Sequence, residues 1–390
     1  MDVAHTESAQ LISRLEGQVM IIPDLRGMIS HWPSGKNVHC DVIDVLINRY
    51  LEDCDAFPQD LASVRDANPT LLASSLWPNV SKKKLSTLTL MVLWQGKLDD
   101  YIEALEYQSQ AKSREFRFRV KEYIAQYLEL SEGPKEPATS SIISTFQPVA
   151  RMICQQYNKG EYEWAVTTAQ MRTDQAVPDQ RRRLKASLFE YIESTVQETR
   201  YVDSGEVPTN LKYEMLRKKT GGTGPLCSLA EFATGLQWPS FVFDSHPYKM
   251  MLQAVAIIVG LTNDLLSLGK ELVRNCRGRV GWRRLTLVQR KGRILNAVPV
   301  RLWNSREGGG LASVVRSIVD DIEKAIRHFD ACERRLITKS REDAVTTRKI
   351  AATLKTICTG NLTWSLACKR YNVGKPAADG SLRQELRAGE

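Results

Sequence analysis

The feature that most constrains this chain is an almost uninterrupted apolar run, Met250–Leu261 (M-M-L-Q-A-V-A-I-I-V-G-L). A helix that is apolar on every side is stable only when other elements cover it. The run has core-helix length and falls short of the roughly 18 residues that a bilayer requires. Directly after it, Leu261–Leu272 reads L-T-N-D-L-L-S-L-G-K-E-L. There Asn263, Ser267 and Glu271 are spaced i, i+4, i+8, so on a helix they form one row, each about 6 Å from the next. An amide oxygen, a hydroxyl and a carboxylate on one face make a hard-oxygen set. That set suits Mg²⁺, which keeps some water and shares the rest of its shell with phosphate. Polar side chains on a buried helix are costly unless something pairs with them. The same row also fits solvated residues at a helix terminus, so support must come from elsewhere in the chain.

The other strong patterns are helical. Apolar residues recur at i, i+3, i+4 and i+7 over Cys40–Asp55, and similar patterns cover Leu71–Trp77, Leu85–Leu98, Lys112–Leu130, Val149–Gln156 and Arg181–Thr199. Further helices are expected over Leu211–Lys219, Pro225–Leu236, Leu311–Leu336 and Ala344–Tyr371, with Trp238–Pro247 as a loop. No run of alternating β-branched residues bounded by turn signals supports a strand. The expected class is all-α, one core in a single helical domain. No Pro-, Gly- or Ser-rich linker divides the 390 residues, and no repeat is visible. The expected layout is an N-terminal segment capping the fold at 1–40, a helical domain at 41–375 and a disordered tail at 376–390.

Eight scattered cysteines without a C-x-x-C pair argue against structural zinc and a disulfide framework. They fit a reducing compartment, so a cytoplasmic location is expected. The first residues, M-D-V-A-H-T-E-S-A-Q, lack the basic and apolar regions of a signal peptide. Net charge is +9, and much of it is local, since Leu272–Arg306 holds no acidic residue. Such a balance suits nucleic acid, an anionic membrane surface or a small anionic substrate.

The second constellation is Asp99-Asp100-Tyr101-Ile102-Glu103, directly after the apolar stretch Leu85–Leu98. Asp99 and Glu103 lie one turn apart on one face. Carboxylates crowded at the end of a buried helix repel unless a cation lies between them. Read alone, they also suit a solvated acidic face. Asp320-Asp321-Ile322-Glu323 lacks this spacing, lies on an amphipathic pattern and is read as solvated.

D-D-x-x-E at Asp99–Glu103 together with N-D-x-x-S-x-x-x-E at Asn263–Glu271 resembles the class I terpene synthases. Arg217, in a stretch ending R-K-K-T-G-G, matches that family's diphosphate-sensing arginine, with Thr220 and Gly221 at its linker and effector positions. Arg370-Tyr371, ending W-S-L-A-C-K-R-Y, resembles the family's R-Y pair, and Lys270 fits a diphosphate contact. The resemblance spans Asp99–Tyr371. A weaker likeness at Ile22–Pro33 (I-P-D-L…W-P) is to fungal sesquiterpene cyclases of the presilphiperfolanol-synthase type.

The resemblance implies a helical bundle around a central cavity. The substrate would be a linear prenyl diphosphate, farnesyl diphosphate first, with geranyl and geranylgeranyl diphosphate as alternatives. Three Mg²⁺ ions are implied, two held by Asp99 and Glu103, the third by Asn263, Ser267 and Glu271. Arg217, Lys270, Arg370 and Tyr371 would bind the diphosphate. The Asn/Ser/Glu form on the second wall favours cyclisation over chain elongation, and the absence of D-x-D-D speaks against protonation-initiated cyclisation. Trp364 lies seven residues before Tyr371, so on a continuous helix both face the cavity, while Trp94, five before Asp99, is a second candidate lining residue. Ordinary core packing is the competing reading for both tryptophans. No nucleic acid and no stable membrane anchor are expected, and the assembly would be a monomer or homodimer. The different-class alternative, a non-catalytic basic helical protein on anionic surfaces, leaves both acidic motifs and Arg217 unexplained.

One segment departs from the family. Arg274–Arg293 is basic, broken by glycine and without amphipathic period, and family character resumes at Asn296-Ala297-Val298. It reads as a basic lid, a surface patch, or retained intron sequence. The last is favoured because family character holds on both sides, and sequencing the transcript decides it.

Overall fold

The computed structural model describes residues 7–54, 61–132, 134–158, 176–276, 294–305, 309–339 and 343–387. The chain begins with α1 (Glu7–Leu15), β1 (Val19–Ile22) and α2 (Leu25–Met28). Next come α3 (Cys40–Asp53), α4 (Leu61–Ala67), α5 (Pro69–Leu76), α6 (Lys82–Gln108) and α7 (Gln110–Tyr127). They are followed by α8 (Ser141–Ser144), α9 (Phe146–Asn158) and α10 (Ala176–Ser204). Four shorter helices, α11 (Asn210–Thr220), α12 (Thr223–Ser228), α13 (Ala230–Thr234) and α14 (Ser240–Asp244), lead to α15 (His246–Cys276). The chain closes with α16 (Ala297–Asn304), α17 (Leu311–Lys339), α18 (Ala344–Ala367) and β2 (Leu382–Glu385). The all-α expectation holds.

Helix starts follow local chemistry. Ser81 caps α6 by accepting from the Lys84 N–H, and Thr209 does the same for α11 through Lys212. Asn68 caps α5, and Pro69 begins it, where a missing N–H costs nothing. The expected apolar core helix is the middle of α15, which packs against α17 and α18. By length and composition alone, His246–Leu272 would cross a membrane, a longer stretch than the apolar run suggests. With 78% of its 18-residue apolar window buried inside the protein, it is a core helix. On α17, Leu311, Val314, Val315, Ile318, Ile322, Ile326 and Phe329 form the buried stripe that meets it.

α18 comes close to α5 because residue 360 is glycine: a Cβ there would overlap the backbone carbonyl of Ser75.

Five expectations change. α6 runs unbroken through Asp99 and Glu103. The helix expected over Pro225–Leu236 is two, α12 and α13, and α14 occupies part of the expected loop Trp238–Pro247. The strands that the sequence did not support are present as one antiparallel pair, Val19 opposite Glu385 through Ile22 opposite Leu382. The tail expected to be disordered at 376–390 thus carries β2 over Leu382–Glu385.

Candidate active site

A cavity of about 430 Å³ lies between α4–α6, α10–α12, α15 and α18. Each metal- or diphosphate-directed residue expected from the sequence lines it: Asp99 and Glu103 on α6, Asn263, Ser267, Lys270 and Glu271 on α15, Arg217, Thr220 and Gly221 around the end of α11, and Arg370 and Tyr371 after α18. Val92, Leu93, Leu226 and Val259 are among the aliphatic residues that line the rest of it.

On the α6 wall, the Tyr191 hydroxyl donates to Asp99 Oδ1 at 2.8 Å. Asp100 turns away from Asp99 and pairs with Lys97 at 3.3 Å. The Asp99 side chain is open to the cavity but enclosed by protein on its other sides. That desolvation, helped by the charges of Asp100 and Glu103 and opposed by Tyr191 and Arg370, lifts its pKa to about 6. Glu103 is exposed at the mouth.

On the α15 wall each of the three oxygen donors already has a hydrogen-bond partner. Asn263 Nδ2 donates to the Tyr371 hydroxyl at 2.6 Å, and the Ser267 hydroxyl donates to Glu271 Oε1 at 2.5 Å. Asn296, which caps α16, donates through Nδ2 to the Asp264 carbonyl at 2.9 Å and to Glu271 Oε2 at 3.1 Å.

Arg217 joins the elements. Its Nη2 donates to Asn263 Oδ1 at 2.6 Å and pairs with Asp264 Oδ1 at 2.8 Å. Residue 260 must be small beside it, since a Cβ there would lie 3.3 Å from Arg217 Cγ. Burial works against the charge of Arg217, but Asp264, Tyr213, Glu198 and Glu271 outweigh it and hold the guanidinium protonated. Asp264 is 1% exposed and also accepts from the Tyr213 hydroxyl at 2.6 Å. Its pKa is raised, burial being the largest cause and Arg217 the main opposing one.

α11 ends at Thr220, Gly221 caps it, and Gly222 takes φ +69° before α12 begins. Glycine suits that left-handed position. The Gly222 carbonyl is held by Gln95 Nε2 at 3.0 Å, so α6 braces the break between the two helices.

The two tryptophans separate. Trp364 lines the cavity, with its Nε1–H donating to the Ala67 carbonyl and its ring 5.4 Å from that of Tyr371. The reason differs from the expected one, because α18 ends at Ala367 and the following turn brings Tyr371 back. Lys270 Nζ lies 5.3 Å from the centre of the Tyr371 ring. Trp94 is not a lining residue: it packs against Phe146 and donates to the Ile142 carbonyl. Five residues turn a helix by about 140° relative to Asp99, so Trp94 faces the core, whereas Gln95, four residues away, faces the cavity.

The sequence reading passed over Tyr191, Glu198, Tyr213, Gln95 and the contacts of Asp264. Glu198 lines the cavity, and burial, with Asp99 nearby, lifts its pKa to about 8. No motif marks it. Asn296 was visible as the start of N-A-V, but its bond to Glu271 was not. Of the basic segment Arg274–Arg293, residues 277–293 lie outside the described residues.

Among the described residues no three His, Cys, Asp or Glu side chains converge as a metal cluster. Any metal would therefore rely on Asn263 and Ser267 as well as carboxylates. That all-oxygen donor set fits a hard divalent cation whose remaining positions take water or phosphate. It does not suit zinc or a softer ion.

Residues 91–327 match the family model described as terpene synthase family 2, C-terminal metal binding. A sesquiterpene cyclase of Aspergillus oryzae is 22% identical over 389 residues, 95% of this chain and 93% of that protein. The (−)-delta-cadinene synthase of Streptomyces clavuligerus is 24% identical over 329 residues, 83% of this chain and 87% of its own. The solved structure of linalool/nerolidol synthase from Streptomyces clavuligerus, in complex with 2-fluorogeranyl diphosphate, has a TM-score of 0.63 at 16% identity, covering 87% of this chain and 98% of that one. At that identity the likeness concerns the fold.

Proposed function

The chain belongs to the terpene synthase family, as a class I enzyme and a carbon–oxygen lyase, and from that premise we propose that it ionises farnesyl diphosphate with Mg²⁺ and cyclises the cation to a sesquiterpene. The observation that carries this reading is the convergence on one cavity of Asp99 and Glu103 from α6 with Asn263, Ser267 and Glu271 from α15, joined through Arg217. Asp99 and Glu103 would hold two Mg²⁺, and Asn263, Ser267 and Glu271 a third. When bound, these ions supply Lewis-acid neutralisation of the departing diphosphate.

The protein's own groups do the rest. Arg217, Lys270 and Arg370, with the Tyr371 hydroxyl, bind the diphosphate oxygens and are aimed at charge that develops as the C–O bond breaks. Asp264 and Tyr213 fix the Arg217 guanidinium from behind, so that little reorganisation is needed. Glu198 also lines the cavity, and in the metal-free protein burial lifts its pKa to about 8. The aliphatic lining residues give the hydrocarbon chain a surface to fold against, and the Trp364 ring lies at the cavity wall, where an aromatic face stabilises cationic carbon.

Farnesyl diphosphate is favoured over the shorter and longer substrates because the relative covering 95% of this chain carries the name sesquiterpene cyclase. The cavity volume is within the range of about 300–1,000 Å³ common for small-molecule sites. A cytoplasmic setting is proposed because the described cysteines are free thiols.

The test is incubation with geranyl, farnesyl and geranylgeranyl diphosphate plus Mg²⁺, with diphosphate assay and gas chromatography. Release of diphosphate with a cyclic product from farnesyl diphosphate is expected. Asn263→Ala and Asp99→Ala should each abolish it while leaving the circular dichroism spectrum unchanged. A variant that still forms product refutes the metal assignment.

A further inference from the structure

Most polar side chains of the cavity have a partner: Asp99 has Tyr191, Asn263 has Arg217 and Tyr371, Ser267 has Glu271, and the Trp364 N–H has the Ala67 carbonyl, while Gln95 and Arg217 each leave one buried atom unpaired but are bonded through another. Asn361 on α18 differs. It is 8% exposed and lines the same cavity. Its Oδ1 is buried with no hydrogen-bond partner, and no bond engages its Nδ2 among the described residues. A buried amide without partners costs free energy, and a hydrocarbon side chain of similar size would not incur that cost. The Nδ2 end is the one that protein does not enclose, so its missing partner is supplied by what the cavity holds.

Its depth says what that is. After α18 the chain turns back and the Tyr371 ring meets that of Trp364, and Asn361 lies three residues before Trp364, about 4.5 Å further along the helix axis from the diphosphate groups. α18 packs there on α5, which contributes Pro69 and Leu72 to the cavity. A prenyl chain is pure hydrocarbon at this depth and offers an amide nothing to bond. A single water molecule does, since it both donates and accepts and so pairs with whichever end of the amide, nitrogen or oxygen, is turned to the cavity.

We propose that Asn361 is a specificity-determining residue that holds one water molecule in the apolar part of the cavity, so that the product is a cyclic terpene alcohol. This rests on the function proposed above. The water oxygen gives a lone pair to the cationic carbon, forming one C–O bond and filling its empty orbital. The resulting oxonium loses a proton to the diphosphate released in the ionisation step. No oxidant or reductant takes part. The amide does not titrate, so Asn361 orients the water and is not the base.

The experiment uses the full chain with Mg²⁺ and each of the three prenyl diphosphates in H₂¹⁸O, followed by gas chromatography–mass spectrometry and diphosphate assay. The unaltered chain should yield a cyclic alcohol bearing one ¹⁸O. Phosphatase contamination is excluded, because it leaves a linear alcohol with the substrate's own oxygen. Asn361→Leu should keep diphosphate release within about threefold but lower the alcohol-to-hydrocarbon ratio at least tenfold. Asn361→Ser, which keeps a hydrogen-bonding group and leaves room for water, should retain the alcohol. Diphosphate release with only hydrocarbon from the unaltered chain overturns the inference and spares the cyclase reading. An unchanged ratio in Asn361→Leu also overturns it. No diphosphate release from any substrate overturns both. If Asn361→Leu fails to fold, the ¹⁸O content of the unaltered chain's product still decides.

Discussion

Replacing Arg217 with methionine removes the one cation paired with Asp264 while keeping most of the aliphatic stem against Gly260. Removing one partner of a buried ion pair costs about 3–5 kcal/mol, because the other charge stays behind unpaired. Asp264 would keep two donors, the Tyr213 hydroxyl at 2.6 Å and the Ala297 N–H at 3.3 Å, and it can also take up a proton. Both place the loss at the lower end, about 3 kcal/mol near pH 7. A chain of 390 residues unfolds with an entropy of about 0.8 kcal/mol/K, so the melting temperature should fall by about 4 °C. The loss should depend on pH, with a definite sign. The Asp264 pKa is already raised in the folded protein by burial, and Arg217 is the main group lowering it. Without Arg217 it rises further. A carboxyl whose folded pKa exceeds its unfolded value binds its proton more tightly when folded. Stability is then greatest below the unfolded pKa, about 4, and declines as pH rises toward the folded value. The gap between Arg217→Met and the unaltered chain should therefore widen from pH 5.5 to pH 8. Thermal denaturation of both metal-free proteins at the two pH values measures it. Adding Asp264→Asn to the variant should recover much of the loss, a coupling expected of residues in contact. A gap that narrows with rising pH, or a double variant no more stable than Arg217→Met, would refute the reasoning.

Two further predictions concern the metal wall and the buried carboxyls. Asn296→Ala removes the donor that steadies Glu271 Oε2, and outer partners of metal ligands are worth about 10–100-fold in affinity. The Mg²⁺ concentration for half-maximal diphosphate release should rise by that order with little change at saturation, and an unshifted titration counts against Asn296. In the metal-free protein, Asp99 and Glu198 have pKa values lifted to about 6 and about 8, burial being the largest cause. By the same sign rule, the urea midpoint should fall as pH rises from about 4.5 to 8, and Asp99→Asn with Glu198→Gln should flatten that slope; an unchanged slope removes both groups from the account.

Periodicity made the long helices legible, because i, i+3, i+4 spacing is a local property that survives in the sequence. The same arithmetic placed Asn263, Ser267 and Glu271 on one face, where the structure has them. It failed where rotation or distance decides. Whether Glu198 faces the cavity depends on how α10 is rotated against α6 and α11, which no window of α10 encodes. Tyr213 and Asp264 meet across two helices, although each looks ordinary in its own stretch. The strand pair is hidden for a related reason: L-R-Q-E has no β pattern, and its partner is at the other end of the chain. For Trp94, the letters were read by proximity to Asp99 when the angle between them was the relevant quantity.

The basic segment begins three residues after Glu271, so a long insertion there could disturb the proposed metal wall. The contacts of Asn296 change that argument. Asn296 caps α16 while its amide holds both Glu271 and the Asp264 carbonyl, and the Ala297 N–H reaches Asp264 Oδ2 at 3.3 Å. The last proposed metal ligand is thus supported from within α15 by Ser267 and from beyond the segment by Asn296. Joining two fixed ends by a longer connection adds only about 0.6 kcal/mol for each doubling of its length, so the wall does not require a short connection. The question that transcript sequencing answers is then narrower than whether the wall can form. It is whether the eight positive charges of Arg274–Arg293 belong in a chain whose site binds diphosphate.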